Sequence, residues 1–213
     1  MVERISKLRL FFREFRRNYH TTGAFLPSGP VLSATLARYA AGNGRVQRVL
    51  EVGPGTGAVT RSIVRTLGDR DHLDLVELNP SFAECLRRGL ETDPVLRTVA
   101  GRARVLEMPV EQLNVETRYD VIVSGLPLNN FSVDSVERIL DTLRGLLAPG
   151  GTLSFFEYLA IRHAKALVSG PGERKRLRGI ARTLDTFLAG NEIRRDLVWL
   201  NVLPACVHHV RFS

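Results

Sequence analysis

The chain has 213 residues, of which 44% are hydrophobic and 24% charged. That size and balance suit one globular domain with a proper core and exclude a low-complexity chain. The formal net charge of +8 points to a polyanionic partner, either nucleic acid or an anionic membrane surface.

Residues 1–20, MVERISKLRLFFREFRRNYH, carry six basic side chains against two acids. At ~100° per residue Ile5, Leu8, Phe11, Phe12, Phe15 and Tyr19 fall in an arc of roughly 120°, with Lys7, Arg9, Arg13, Arg16 and Arg17 flanking or opposing it. A Phe-rich stripe beside a cationic face predicts an interfacial membrane helix. A helix packed on the domain with solvated cations fits the same pattern. Gly, Pro and Ser make residues 20–30 a loop. Helical periodicity returns over 31–40, with Ser28 as N-cap and Pro30 early in the helix.

Arg48-Val49-Leu50-Glu51-Val52 reads as a buried strand that runs into Gly53-Pro54-Gly55-Thr56-Gly57. Apolar positions 59, 63, 64 and 67 then recur at helical spacing, predicting a helix over 58–67. Strand, glycine turn and helix form the entry to a doubly wound sheet, which takes its ligand at the carboxyl end of the strand. Gly53, Gly55 and Ala58 also satisfy the dinucleotide fingerprint G-x-G-x-x-A, a weak pattern alone. Glu51 is badly placed to meet a pyrophosphate and compatible with a cationic ligand. A second strand over 73–78 ends in Glu77-Leu78, where a carboxylate accepts from both hydroxyls of a ribose.

Asn79-Pro80 opens a helix through Leu90, and 102–108 reads as a third strand stopped by Pro109. A fourth strand starts at Tyr119 and runs through Ser124 into Gly125-Leu126-Pro127-Leu128. An amphipathic helix over 132–147 closes at Ala148-Pro149-Gly150-Gly151, and a fifth strand follows over 152–158. Helices over 160–168 and 173–189 meet at Ser169-Gly170-Pro171-Gly172. The second sets Arg174, Lys175, Arg176, Arg178 and Arg182 beside Leu177, Ile180, Leu184 and Leu188, either a solvated face or a second contact with anionic lipid. Strands over 193–202 and 206–211, joined at Leu203-Pro204-Ala205, end the chain as an antiparallel hairpin. Cys85 and Cys206 lack metal-ligand spacing and read as buried thiols in a reducing compartment. No apolar run approaches the ~18 residues of a membrane span, so the expected location is cytoplasmic.

The pair E-V-G-P-G-T-G at 51–57 and V-E-L-N-P at 76–80 resembles the class I S-adenosylmethionine (SAM)-dependent methyltransferases. With T-G-A-F-L-P-S-G-P at 22–30 and S-G-L-P-L-N-N-F at 124–131, the chain resembles the soluble bacterial phosphatidylethanolamine N-methyltransferases, which look like relatives of the rRNA adenine dimethyltransferases. The resemblance implies an α/β, Rossmann-like fold with a seven-stranded mixed sheet, helices on both faces and an N-terminal amphipathic helix. Residues 1–20 would be a membrane-binding helix and 21–213 the methyltransferase domain, held peripherally at the inner face of the cell membrane. SAM would be the cofactor and S-adenosylhomocysteine the product. Their contacts would be Glu51, Gly53, Gly55, Thr56, Gly57, Glu77, Leu78, Met108, Ser124, Gly125 and Leu126, with Phe25 and Ser28 from the N-terminal approach. Glu107 and Met108 stand where many relatives place an adenine-binding Asp, and the adenine contact stays open between them.

By the same resemblance the acceptor is phosphatidylethanolamine, methylated stepwise to phosphatidylcholine. Pro127, Leu128, Arg182, Arg194 and Arg195 are its candidate contacts. An alkylammonium of lysine-like pKa ~10.4 must lose a proton before it attacks, and Tyr19, Glu157, Tyr158 and His163 are candidates to take it or orient the amine. Amino-methylating relatives often place [N/D/S]-x-P-[Y/F/W] after the fourth strand. Gly125-Leu126-Pro127-Leu128 lacks both the carboxamide and the ring that a nucleobase needs and an aliphatic amine does not. No nucleic-acid partner is therefore expected. An RNA or DNA adenine methyltransferase and a non-catalytic SAM-binding membrane protein share parts of the pattern.

Overall fold

The computed structural model describes residues 28–42, 44–114, 116–159, 170–201 and 203–212. The helices expected over 1–20 and 160–168 lie outside the described residues. Seven strands form one mixed sheet: β1 (Arg48–Val52), β2 (His72–Val76), β3 (Ala103–Leu106), β4 (Tyr119–Ser124), β5 (Leu147–Tyr158), β6 (Glu192–Val198) and β7 (Ala205–Arg211), in the order β3-β2-β1-β4-β5-β7-β6. β1 to β5 pair in parallel, and β7 runs antiparallel to both β5 and β6.

Helices α1 (Pro30–Leu36), α2 (Ala58–Val64) and α3 (Pro80–Thr92) cover one face of the sheet, and α4 (Val133–Leu146) and α5 (Pro171–Leu188) cover the other. Because both faces are covered, the central strands are buried along almost their whole length. Two buried acids interrupt that apolar run, Asp74 on β2 and Glu51 on β1. Asp74 is satisfied: Arg104 donates to both its oxygens at 2.8 and 2.6 Å, and the Tyr119 hydroxyl donates at 2.8 Å. Glu51 is not.

Several boundaries move from those expected. Gly29, not Ser28, caps α1, with no side chain bonded to the helix end, and the helix tightens into a 3-10 turn from Ala37. Ser28 contributes its carbonyl instead, which accepts from Ser33 Oγ at 3.2 Å. Ala148-Pro149-Gly150-Gly151 does not separate helix from strand; β5 already begins at Leu147 and passes through an irregularity there. Gly150 takes a left-handed φ of 73°, and a Cβ on Gly151 would lie about 3 Å from the carbonyls of Ala148, Tyr119 and Asp120. α5 begins on Pro171 with Gly170 as its N-cap, so Pro171 and Gly172 of the expected joint belong to its first turn. β6 ends at Val198, and Trp199, Leu200 and Asn201 of the expected strand lie in the turn to β7. Cys206 is buried as expected, but Cys85 is exposed because it sits on the outer side of α3. Among the described residues no helix is long and apolar enough to cross a membrane.

Candidate cofactor and acceptor site

β1 pairs with β2 on one side and β4 on the other, so the sheet's order reverses between β1 and β4. At such a switch point the loops leaving adjacent carboxyl ends diverge and open a crevice. Here that is where Gly53–Gly57 and Gly125–Leu128 leave the sheet. Gly53 N donates to Val76 O at 2.9 Å and Gly125 N to Val52 O at 2.8 Å, extending the ladder one residue past each strand. Gly53, Gly55 and Gly57 all have positive φ, which L side chains rarely adopt. Gly125 is required for a different reason: a Cβ there would lie 2.7 Å from the Gly53 carbonyl oxygen. The backbones of the two loops touch. This accounts for the missing carboxamide at the end of β4, since no side chain fits at 125.

Glu51 lies beneath the loop, fully buried, and neither carboxylate oxygen has a hydrogen-bond partner among the described residues. Burial raises its pKa to about 8; the Thr60 hydroxyl pulls the other way from outside hydrogen-bond geometry, and the Glu77 charge pushes it further up. A buried acid left without a partner costs stability, and a cation placed beside it removes that cost. SAM carries both a sulfonium and an ammonium, so the chemistry of this group fits the site.

Glu77 follows β2 and is also buried. It accepts from Gly55 N at 3.0 Å and Asn79 N at 2.8 Å, and so ties the glycine loop to the start of α3. Burial raises its pKa, against the pull of the hydrogen bonds from Asn79, Gly55 and Leu78. A carboxylate has about four acceptor positions, so two backbone donors leave room for ribose hydroxyls. Glu77→Ala is expected to lower SAM affinity at least tenfold by calorimetry, because it removes both the ribose partner and the loop tie, at ~1–3 kcal/mol for each unpaired group. Thr56 is exposed at the loop tip, and Leu78 and Met108 are half-buried beyond β2 and β3, Met108 against the α4 side of the core. Ser124 is fully buried, and Leu126 fills the space that a Cβ on Gly53 would need. Ser28 lies at the start of α1; Phe25 is outside the described residues.

Four of the expected acceptor-side residues do meet. Pro127 and Leu128 line a narrow cleft with Glu157 and Tyr158 at the end of β5. Burial pushes the Tyr158 phenol pKa up, which suits a hydrogen-bond donor and not a base. Glu157 Oε1 lies 3.4 Å from His208 Nε2, an ion pair outside hydrogen-bond geometry, and His208 Nδ1 lies 2.6 Å from Glu192 Oε1. Burial alone would lower the His208 pKa, but contacts with Cys206, Glu157 and Glu192 carry it up to about 10. A carboxylate–imidazolium–carboxylate chain therefore runs from the cleft to the outer edge of the sheet. His208 went unrecognised in the sequence, where it reads as an ordinary residue of a late strand. Asn129 was missed too: it is buried and lines the same cleft, so a carboxamide is present just after Leu128.

The arginines divide. Arg182 lines a cavity of about 660 Å³ between the start of α4 and α5, together with Lys175, Arg176 and Arg178. Arg194 and Arg195 do not reach the site. They sit on β6, three strands from β4 and so roughly 14 Å away at ~4.8 Å per strand, and their guanidinium groups are engaged by Asp196 and Glu192 respectively. Arg176 bridges instead: it pairs with Glu173 and donates to the carbonyls of Asn129, at 2.9 Å, and Phe131. Tyr19 and His163 lie outside the described residues.

Known proteins match this arrangement. Residues 49–151 match the family described as "Methyltransferase domain". The ornithine lipid N-methyltransferase of Singulisphaera acidiphila is 33% identical over 150 residues, covering 68% of this chain and 74% of that protein. The ubiquinone/menaquinone biosynthesis C-methyltransferase UbiE of Vibrio campbellii is 31% identical over 113 residues, 53% of this chain and 41% of that protein. Among solved structures, the O-methyltransferase from Bacillus cereus in complex with SAH superposes with a TM-score of 0.63 at 13% identity, over 95% of this chain and 90% of that one. Sheet order, glycine loop, buried acid and these matches agree: the chain belongs to the class I SAM-dependent methyltransferases.

Proposed function

We propose that the protein N-methylates the amine of a polar membrane lipid at the bilayer surface, with phosphatidylethanolamine as acceptor. The observation that carries this reading is the contact between Gly125 and Gly53. It excludes a side chain at the position from which relatives grip a nucleobase, and beside it Pro127 and Leu128 face Glu157 and Tyr158 across a narrow cleft. The similarity to a lipid N-methyltransferase supports the same substrate class and makes ornithine lipid the second acceptor to test.

Bound SAM supplies a methyl group already activated on sulfonium. The chain's part is to hold the amine in line with it, exclude water and accept a proton. Pro127 and Leu128 make the wall apolar, and Tyr158 offers an aromatic face suited to a methylated ammonium. Glu157 takes the proton that leaves the amine, and His208, held between Glu157 and Glu192, keeps a positive charge beside it. Residues 1–19 and the basic face of α5 bring the enzyme to anionic lipid; the first of these rests on sequence alone.

The test is label transfer from radiolabelled SAM, run in parallel on vesicles containing phosphatidylethanolamine, vesicles containing ornithine lipid, and undermethylated rRNA. Label in mono-, di- and trimethylated phosphatidylethanolamine is the expected result. Label confined to ornithine lipid would select the second acceptor, and label in RNA alone would overturn the lipid reading.

A further inference from the structure

From the turn between β6 and β7 we infer that Trp199 and Leu200 form a wedge that inserts into the interface of an anionic bilayer. The inference rests on the lipid reading above for its biological setting but not for its evidence. Leu197, Trp199 and Leu200 are 54%, 67% and 81% exposed, three large apolar side chains within four positions. Single exposed apolar residues are ordinary; a cluster held in water marks a contact surface.

The backbone that carries them is fixed. Asn201 Oδ1 accepts from Gly29 N at 2.9 Å and Asn201 Nδ2 donates to Leu203 O at 2.9 Å. Pro204 O accepts from Leu159 N at 2.9 Å. The turn is thus pinned to the start of α1 on one side and the end of β5 on the other, with its apolar side chains turned outward. An indole suits the headgroup level of a bilayer, where its ring is apolar and its N–H finds a partner.

Charge identifies the occupant. β6 runs parallel to β5, so the β6–β7 turn lies at the carboxyl edge of the sheet. α5 starts at that edge, because it follows the end of β5 and leads back to the start of β6. Lys175, Arg178 and Arg182 are exposed on the first two-thirds of α5, around the 660 Å³ cavity, without an ion pair among the described residues. An apolar wedge and exposed cations on one edge match the two signals that hold peripheral proteins on acidic lipid. The edge is also the one where the cofactor and acceptor loops open.

Trp199 is the one tryptophan of the chain, so intrinsic emission reads this position directly. Vesicles of phosphatidylethanolamine and phosphatidylglycerol should shift the emission of the wild-type protein to the blue, and brominated acyl chains should quench it. A Trp199→Ser/Leu200→Ser variant should lose vesicle binding about tenfold, the order expected for withdrawing two large apolar side chains. It should keep wild-type SAM affinity and wild-type methylation of detergent-dispersed lipid. Flotation of the wild type without a blue shift would overturn the wedge while leaving the lipid reading intact. Emission already blue in the protein alone, meaning that chain or a second copy covers the turn, would overturn it too. A blue shift with quenching but no methyl transfer to any lipid would support the wedge and sink the acceptor proposal.

Discussion

Glu51→Gln is expected to weaken SAM binding at least tenfold while making the ligand-free protein more stable at pH 8. The carboxyl is buried with its pKa raised from 4.5 to about 8. A raised folded-state pKa means that the group's contribution to stability is fully present below pH 4.5 and is lost as pH rises toward 8. At ~1.4 kcal/mol per pH unit the loss reaches on the order of 5 kcal/mol. Gln keeps the shape and does not titrate, although its unpaired amide retains ~1–3 kcal/mol of burial cost. The stability difference between variant and wild type should therefore grow from pH 5 to 8 in thermal unfolding. A cation beside Glu51 favours its ionised form, so wild-type SAM affinity should rise over the same range more steeply than that of the variant. Equal affinities and equal pH slopes would remove Glu51 from the cofactor's surroundings.

Gly125→Asn supplies the carboxamide that nucleobase-methylating relatives carry, yet it should disable this protein. Its Cβ would stand 2.7 Å from the Gly53 carbonyl oxygen, closer than such contacts occur, and both partners are backbone that cannot rotate aside. Overpacking of this kind costs ~1–3 kcal/mol or more. Because the displaced atom opens the cofactor loop, SAM affinity should fall more than tenfold alongside the urea midpoint. Gly101→Ala is the control: nothing lies within 4 Å of the added carbon, so both measurements should stay near wild type. A Gly125→Asn protein with unaltered SAM affinity would mean that the two loops can part.

The order of strands and helices was legible because each has its own local signature. Arg48–Val52, the glycine run and the return of helical spacing at Val59 announce themselves without reference to anything distant. The pairs across the sheet carry no such signature. His208 becomes an imidazolium only because β7 lies beside β5 and β6, which brings Glu157 and Glu192 to it. Arg194 and Arg195 show the converse: as bare cations they suggest phosphate contacts, and only the register of β6 reveals the carboxylates that occupy them. The missing side chain at 125 was visible in the sequence, but its cause, the Gly53 carbonyl, required coordinates. Ser28 failed as a cap because Gly29 already has the extended backbone that opens the helix, at φ −60° and ψ 163°.

Arg176 leaves the acceptor cleft mechanically joined to the protein's basic surface. One guanidinium holds Glu173 of its own helix and the carbonyls of Asn129 and Phe131. Those two carbonyls belong to the stretch that follows Pro127 and Leu128, so α5 and the wall of the cleft share a single rivet. Any displacement of the first turns of α5 is therefore carried to the backbone that follows Leu128, and with it to one wall of the cleft.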